Sequence, residues 1–328
     1  MEPDVPRPPR GPPPGELLRE LGPDLILLQE ANLGSAEVLR QAAGADWLIC
    51  AADLRTHAAG DRAVRARGVA IAGRGPVPEH PWILEDAPLP ERTLLAELTV
   101  DGLALTAVSY HAPPGVNWGI DKPRQAVALA RLLSARQGPV LLGADANTPL
   151  IDPVDFANTR THWHTGDRHL NGEPGDDLLF GPGKIHPLDD ALRRWLADHP
   201  AEAAALSNRP SGPLAVTHRT GRRKNGFPGT GRRFDSIWIT RHWAVQNISH
   251  LYDEGIAAGS DHAVIIAFCA VVRTSPSRPA SLQVWVIWAP ARTSSSAHQR
   301  PIVHIRAGLR NLASGGLAGR FRSPTVRS

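Results

Sequence analysis

The longest unbroken apolar run in this chain, Ala263–Val272, is ten residues long, and every other run is shorter. A bilayer span needs about 18 or more, so a transmembrane helix is excluded. With 31 Pro and 30 Gly as punctuation, the chain is confined to short buried strands and short amphipathic helices. At 42% apolar residues it has enough to fill a core and is too apolar for a disordered chain. Met1–Pro14, seven of them Pro, lack the apolar centre of a secretion signal. Cys50 and Cys269 are the only cysteines, too few for a disulfide framework, so a reducing cytoplasm is the expected location.

The net charge of +4 belongs to one end. Nine Arg and no acidic residue follow Val272, which leaves residues 1–272 net acidic. A body with that balance is not a broad phosphate-backbone clamp, although a local basic patch fits it. Three segments result. Residues 1–14 read as a disordered Pro-rich leader and 15–272 as one domain. Residues 273–328 form a basic Ser/Arg-rich tail, expected to be disordered despite an apolar island at Leu282–Trp288. A tail of one charge sign also suits a membrane- or nucleic-acid-binding arm.

Within the body, Leu25–Leu28, Val69–Ala72 and Val140–Gly143 read as buried strands. Thr93–Val100 and Leu103–Tyr110 flank Asp101-Gly102, the pair a type I′ hairpin favours. Phe234–Thr240, Val245–Leu251 and Ala263–Val271 read as later strands. Helices are predicted over Glu16–Leu21, from a Ser35 cap through Arg40, from Asp121 to Gln137, and over Asp189–Ala197. Strands interspersed with helices and hairpins suit two packed sheets covered by helices, an α+β arrangement.

The polar residues fall at the ends of these strands. Leu25-Ile-Leu-Leu-Gln runs into Glu30, and the strand from Leu103 ends in His111. Val140-Leu-Leu-Gly-Ala ends in Asp145, with Asn147 two residues on. Asp235 opens a late strand, and Asp261-His262 opens the last one. Charged residues seldom sit unpaired in a core, so strand ends gathered at one edge would put these groups around one pocket. Taken singly, each has a plainer reading: Asp145 and Asp261 as turn residues, His111 as a strand end, Glu30 as the start of a helix. An oxygen-rich carboxylate and amide set suits a hard cation such as Mg²⁺, with Mn²⁺ as a substitute, rather than Zn²⁺.

Gln29-Glu30, Tyr110-His111, Gly143-Ala-Asp145-Ala-Asn147, Arg233-Phe-Asp235 and Ser260-Asp261-His262 follow one another in an order that resembles the endonuclease/exonuclease/phosphatase family. Two departures stand out. Gly143-Ala144 holds one residue more than the family's Gly-Asp, and a Pro-rich stretch stands where the family's first strand, with its Asn, belongs. The resemblance implies a DNase I-like four-layer sandwich, here with its first strand missing. It implies Glu30 as the main metal ligand with Asp261 nearby, Asp145 as the residue that positions or deprotonates water, and Asn147 on a phosphate oxygen. It further implies His262, oriented by Asp235, at the scissile phosphate, and His111 as a second phosphate-side donor.

In-line attack on phosphorus needs a cation for developing charge, a base for water and donors for the equatorial oxygens. No activated Ser or Cys stands among these blocks, so direct water attack is favoured. The expected activity is metal-dependent phosphoester hydrolysis, as a phosphodiesterase or nuclease, with nucleic acid among the substrates. The second class, motivated by the missing strand, is a weakened member kept as a binding or interaction protein. The Gly-rich basic loop that contains Arg219, Arg222, Arg223 and Lys224 and leads to Arg232 and Arg233 precedes Asp235. It reads either as a substrate-binding patch for an anion or as a solvated loop. His162-Trp-His164 is a weak signal for a second metal, and Gly226-Phe-Pro-Gly-Thr-Gly lacks the Lys-Ser/Thr of a P-loop.

Overall fold

The computed structural model describes residues 18–20, 22–55, 68–100, 102–113, 118–161, 175–209, 211–220, 229–272 and 281–288. The leader at 1–14, the His162/His164 pair and the loop containing Arg222, Arg223 and Lys224 lie outside them.

Two six-stranded mixed sheets face each other. The first runs in the order β12 (Trp243–Leu251), β13 (Val264–Val271), β14 (Ser281–Trp288), β1 (Leu25–Ala31), β3 (Gly68–Gly73) and β2 (Trp47–Cys50). The second runs β4 (Trp82–Ile83), β5 (Thr93–Val100), β6 (Leu103–His111), β7 (Val140–Asp145), β11 (Asp235–Ile239) and β8 (Asp189–Asp190). A small hairpin of β9 (His218–Thr220) and β10 (Thr230–Arg232) stands apart from both. No described helix is long and apolar enough to cross a membrane.

Central strands such as β3 and β7 are buried along their whole length, and β1 at every residue but Glu30, because both faces are covered. Side chains alternate across a strand. Thus Leu25 and Leu27 of β1 join Leu141, Ile237 and Ile265 between the sheets. Ile26 and Leu28 turn outward onto Leu39 and Ala43 of helix α1 (Leu33–Ala43). On the far side, Val108 and Leu142 pack on Leu129 and Leu133 of helix α2 (Asp121–Ala135). Helix, sheet, sheet and helix make the four layers of a DNase I-like α+β sandwich. The sheets come close at Gly143, where an added Cβ would lie 2.5 Å from Val286 Cγ2 and 2.6 Å from Leu27 Cδ1.

Two local expectations shift by a few residues. The first long helix is capped by Asn32, with Ser35 as the reciprocal partner of a capping box rather than the cap itself. Asp190 caps the helix α3 (Ala191–Asp198) through its Oδ1, which accepts from the Leu192 N–H at 2.9 Å, so the helix starts at Ala191 rather than at Asp189.

The larger correction concerns the tail and the missing strand. Residues 281–288 are not disordered. They form β14, parallel to β1 in the register Leu25↔Val284 to Gln29↔Trp288, and antiparallel to β13. No internal place in this sheet is left open. Leu282, Val284 and Val286 enter the core between the sheets, and Trp285 enters the core under α1. The physical reason is backbone satisfaction: without β14, facing rows of N–H and C=O on β1 and β13 would be buried unpaired.

Candidate active site

Strand pairing brings three of the sequence-derived residues into one row. The parallel β6–β7 register puts His111 beside Asp145, and the antiparallel β7–β11 register puts Asp235 on the other flank of Asp145. Glu30 joins from the first sheet. It sits where the β1–β3 register shifts, at a φ of 50°, a strained left-handed conformation for a non-glycine residue. Its Oε1 lies 3.6 Å from His111 Nε2, and Asp145 Oδ2 lies 3.6 Å from the same nitrogen.

The fourth partner arrives with the return of the chain. His262 Nδ1 lies 2.8 Å from Asp235 Oδ2, with both side chains buried. Burial alone would lower the imidazole pKa, but Asp235 and Asp145 overcome it and raise His262 to about 10. Burial pushes Asp145 the other way, up to about 7, with Asp235 and Glu30 adding to the rise while His262 and the Asn147 N–H oppose it. The pocket therefore holds an imidazolium beside carboxylates that repel one another.

Asn147 also adopts a positive φ, 48°. Its backbone N–H donates to Asp145 Oδ1 at 3.1 Å, and its side-chain amide donates to Ala112 O at 3.1 Å. One amide hydrogen of Asn147 is thus spent on the scaffold. Asp261 is exposed and groups with His218 and His262, their ligand atoms within 4.8 Å of one another, whereas Asp145, Asp235 and His262 form the buried group.

Arg233 does not bind substrate in the way the basic loop suggested. It is 3% exposed and held by Asp152, at 2.6 Å from Nε, and by Asp190. A buried guanidinium needs such partners, and those two carboxylates raise its pKa further against the effect of burial. Arg232 is half-buried and donates to Leu150 O.

Four residues outside the family blocks shape the site. Thr217 Oγ1 accepts from the Phe234 and Asp235 N–H groups, at 2.8 and 3.1 Å, and Thr217 O accepts from the Ala263 N–H, so one residue holds Asp235 next to the strand of His262. His218 lies against His262 with ring centroids 4.4 Å apart, and its Nδ1 donates to Asp261 O at 3.1 Å. Arg92 reaches His111 Nδ1 at 3.2 Å and lies over the Trp118 ring. Lys122, buried, donates to Asn147 O at 3.1 Å and pairs with Asp176. Thr217-His218 was visible in the sequence only as the start of a basic loop, and Arg92 and Lys122 carried no signal beyond their charge.

A family model described as the Endonuclease/Exonuclease/phosphatase family matches residues 15–262. The chain belongs to this family. At the level the family defines, it is a phosphoester hydrolase. Among solved structures, it is similar to a humanized D. rerio TDP2, at 12% identity and a TM-score of 0.48, over 77% of this chain and 88% of that one. It is also similar to an endonuclease/exonuclease/phosphatase from Bacteroides vulgatus, at 14% identity and a TM-score of 0.47, over 79% and 88% of the two chains. The human Nocturnin catalytic domain with bound sulfate is a third, at 14% identity and a TM-score of 0.46, over 79% and 87%. No curated protein matches the sequence.

Proposed function

We propose that this protein hydrolyses phosphodiesters by direct in-line attack of water, with Mg²⁺ as the working cation and Mn²⁺ as a substitute. The observation that carries the reading is the single row His111, Asp145 and Asp235, completed by the 2.8 Å Asp235–His262 pair and by Glu30. A cation suits the donor set on chemical grounds. Asp145 is raised to about 7 by burial, with Asp235 and Glu30 adding to the rise, and a bound positive charge would relieve that repulsion. Glu30, with Asp261 at the rim, would hold the ion, which supplies charge stabilisation on the phosphoryl group.

The protein's own groups divide the remaining work. Asp145, held by the Asn147 N–H, orients water and accepts its proton. His262, kept protonated by Asp235 and Asp145, donates to a phosphate oxygen and matches its negative charge. His111, beside Asp145 in the row, serves as a second donor on the phosphate side, and Asn147 holds Asp145 through its backbone N–H. The alternative, a weakened member acting as a binding or interaction protein, is motivated by the missing first strand with its Asn; β14 supplies the backbone pairing at an internal position, between β13 and β1.

Hydrolysis screened over plasmid DNA, RNA and small phosphodiesters, with Mg²⁺ and with EDTA, tests the proposal. Turnover that EDTA stops and Mg²⁺ restores is the expected result. Turnover unaffected by EDTA, or none on any phosphodiester, overturns it.

A further inference from the structure

A cleft of about 640 Å³ is lined by the segments that follow Asp145 and precede Asp235. Its position follows from strand pairing. With Asp145 opposite Asp235 in an antiparallel register, the residues after Asp145 and those before Asp235 leave the pocket side by side. The Ala146 N–H donates to Phe234 O at 2.8 Å and ties them together. Pro149, Ile151, Arg209 and Pro213 line it together with Arg219 and Arg232 of the β9–β10 hairpin.

Two of the guanidinium groups in this cleft, those of Arg209 and Arg219, are held by carbonyls and a ring rather than by carboxylates among the described residues. Arg209 donates to the carbonyls of Pro213 and Leu214. Arg219 donates to Gly229 O and lies over the Tyr252 ring. Neither guanidinium has a carboxylate partner among the described residues, and both residues are exposed. Asp152 is the acidic residue of the lining, and its oxygens are taken by Arg193 and Arg233. Guanidinium groups suit phosphate oxygens because their forked donors match them. Pro149, Ile151 and Pro213 offer apolar surface for the face of a sugar or base. A volume of this size encloses one nucleotide-sized group and does not admit a duplex.

We propose that the cleft is a second phosphate subsite, which takes the nucleotide next to the scissile phosphate of a single-stranded nucleic acid. The inference rests on the hydrolytic reading for its orientation, but its test does not need turnover. Binding of a fluorescently labelled ten-nucleotide oligo-dT is measured by anisotropy in EDTA, across a series of salt concentrations. Arg209→Ala and Arg219→Ala are each expected to lower the salt slope by about 0.7, the value for one phosphate contact to a single strand. The double variant should weaken binding at least about tenfold at 0.1 M salt. Arg241→Ala, an exposed arginine just after the far end of β11, should change neither.

Arg209→Glu combined with Arg219→Glu should weaken binding further, and an unchanged melting temperature shows that the fold is kept. Wild-type protein that binds no oligonucleotide, or a double variant with wild-type affinity and slope, overturns the subsite. Wild-type turnover of thymidine 5′-(p-nitrophenyl) phosphate in Mg²⁺ is scored separately. Its failure counts against the hydrolytic reading, while the binding series decides the subsite.

Discussion

Trp285→Ala tests whether β14 belongs in the centre of the first sheet. Trp285 is fully buried, among Ile26, Leu28, Val264 and Ile266 under α1. Truncating a buried Trp to Ala costs about 3–5 kcal/mol from lost transfer energy and the cavity left behind. For a domain of this size each kcal/mol shifts the midpoint by about 2 °C, so a fall of about 6–10 °C is expected. Among the described residues the indole Nε1 of Trp285 has no hydrogen-bond partner, so Trp285→Phe gives up no hydrogen bond there and should stay within about 2 °C of wild type. Phe268→Ala on β13, a side chain 40% exposed, serves as the surface control. Truncation after Val272 goes further, because it also removes Leu282, Val284 and Val286, each worth about 1.5–3 kcal/mol. With Trp285 the loss reaches roughly 8–14 kcal/mol, as large as the whole stability of a typical domain. The truncated chain should show no cooperative unfolding by circular dichroism. A Trp285→Ala variant melting within 2 °C of wild type, or a truncated chain that unfolds cooperatively, would refute the packing of β14.

Four further outcomes are expected. Glu30→Gln and Asp145→Asn should each lower phosphodiester turnover at least about 100-fold. Asp145→Asn should also raise the melting midpoint at pH 8, since it removes a buried carboxylate that Asp235 and Glu30 repel; near-normal turnover in either variant removes that residue from the reaction. Gly143→Val should unfold or severely destabilise the chain, because even a Cβ there meets Val286 and Leu27, and a soluble variant with the wild-type urea midpoint would contradict the sheet spacing. Stability should fall in acid as His186 and His250 protonate. Burial lowers both to about 4, so their contribution is present above the ordinary value near 6.5 and is lost as pH falls through 4. For His186, whose ring nitrogens are engaged by Leu179 O and the Leu188 N–H, this is on the order of 3 kcal/mol. Urea midpoints at pH 7 and 4.5 that do not converge in His186→Phe would argue against it. Arg233→Met should destabilise the fold, by less than the ~3–5 kcal/mol of a fully stranded buried charge because Arg193 still pairs with Asp152 and Asp190, and a change in substrate affinity alone, with stability kept, would return Arg233 to the binding surface.

The site was legible in the sequence wherever a local pattern carries chemistry. A short apolar run ending in a carboxylate or imidazole declares both a buried strand and a polar strand end. Glu30, His111, Asp145 and Asp235 could therefore be read as neighbours before any pairing was known, and the Asp235–His262 contact at 2.8 Å follows from the antiparallel return of the chain. Asn32 displaced Ser35 as the cap by only three residues, for helix termini are set by interactions inside one turn. What spacing does not encode is the partner of a group whose neighbours lie far away in the chain. Arg232 and Arg233 are adjacent and alike in sequence, yet Arg233 faces Asp152 and Asp190 in the core while Arg232 faces a carbonyl at the cleft. The same holds for Leu282–Trp288, an apolar island in a polar tail. Its place was decided by two strands far away in the chain, β1 and β13, whose facing backbone groups it pairs.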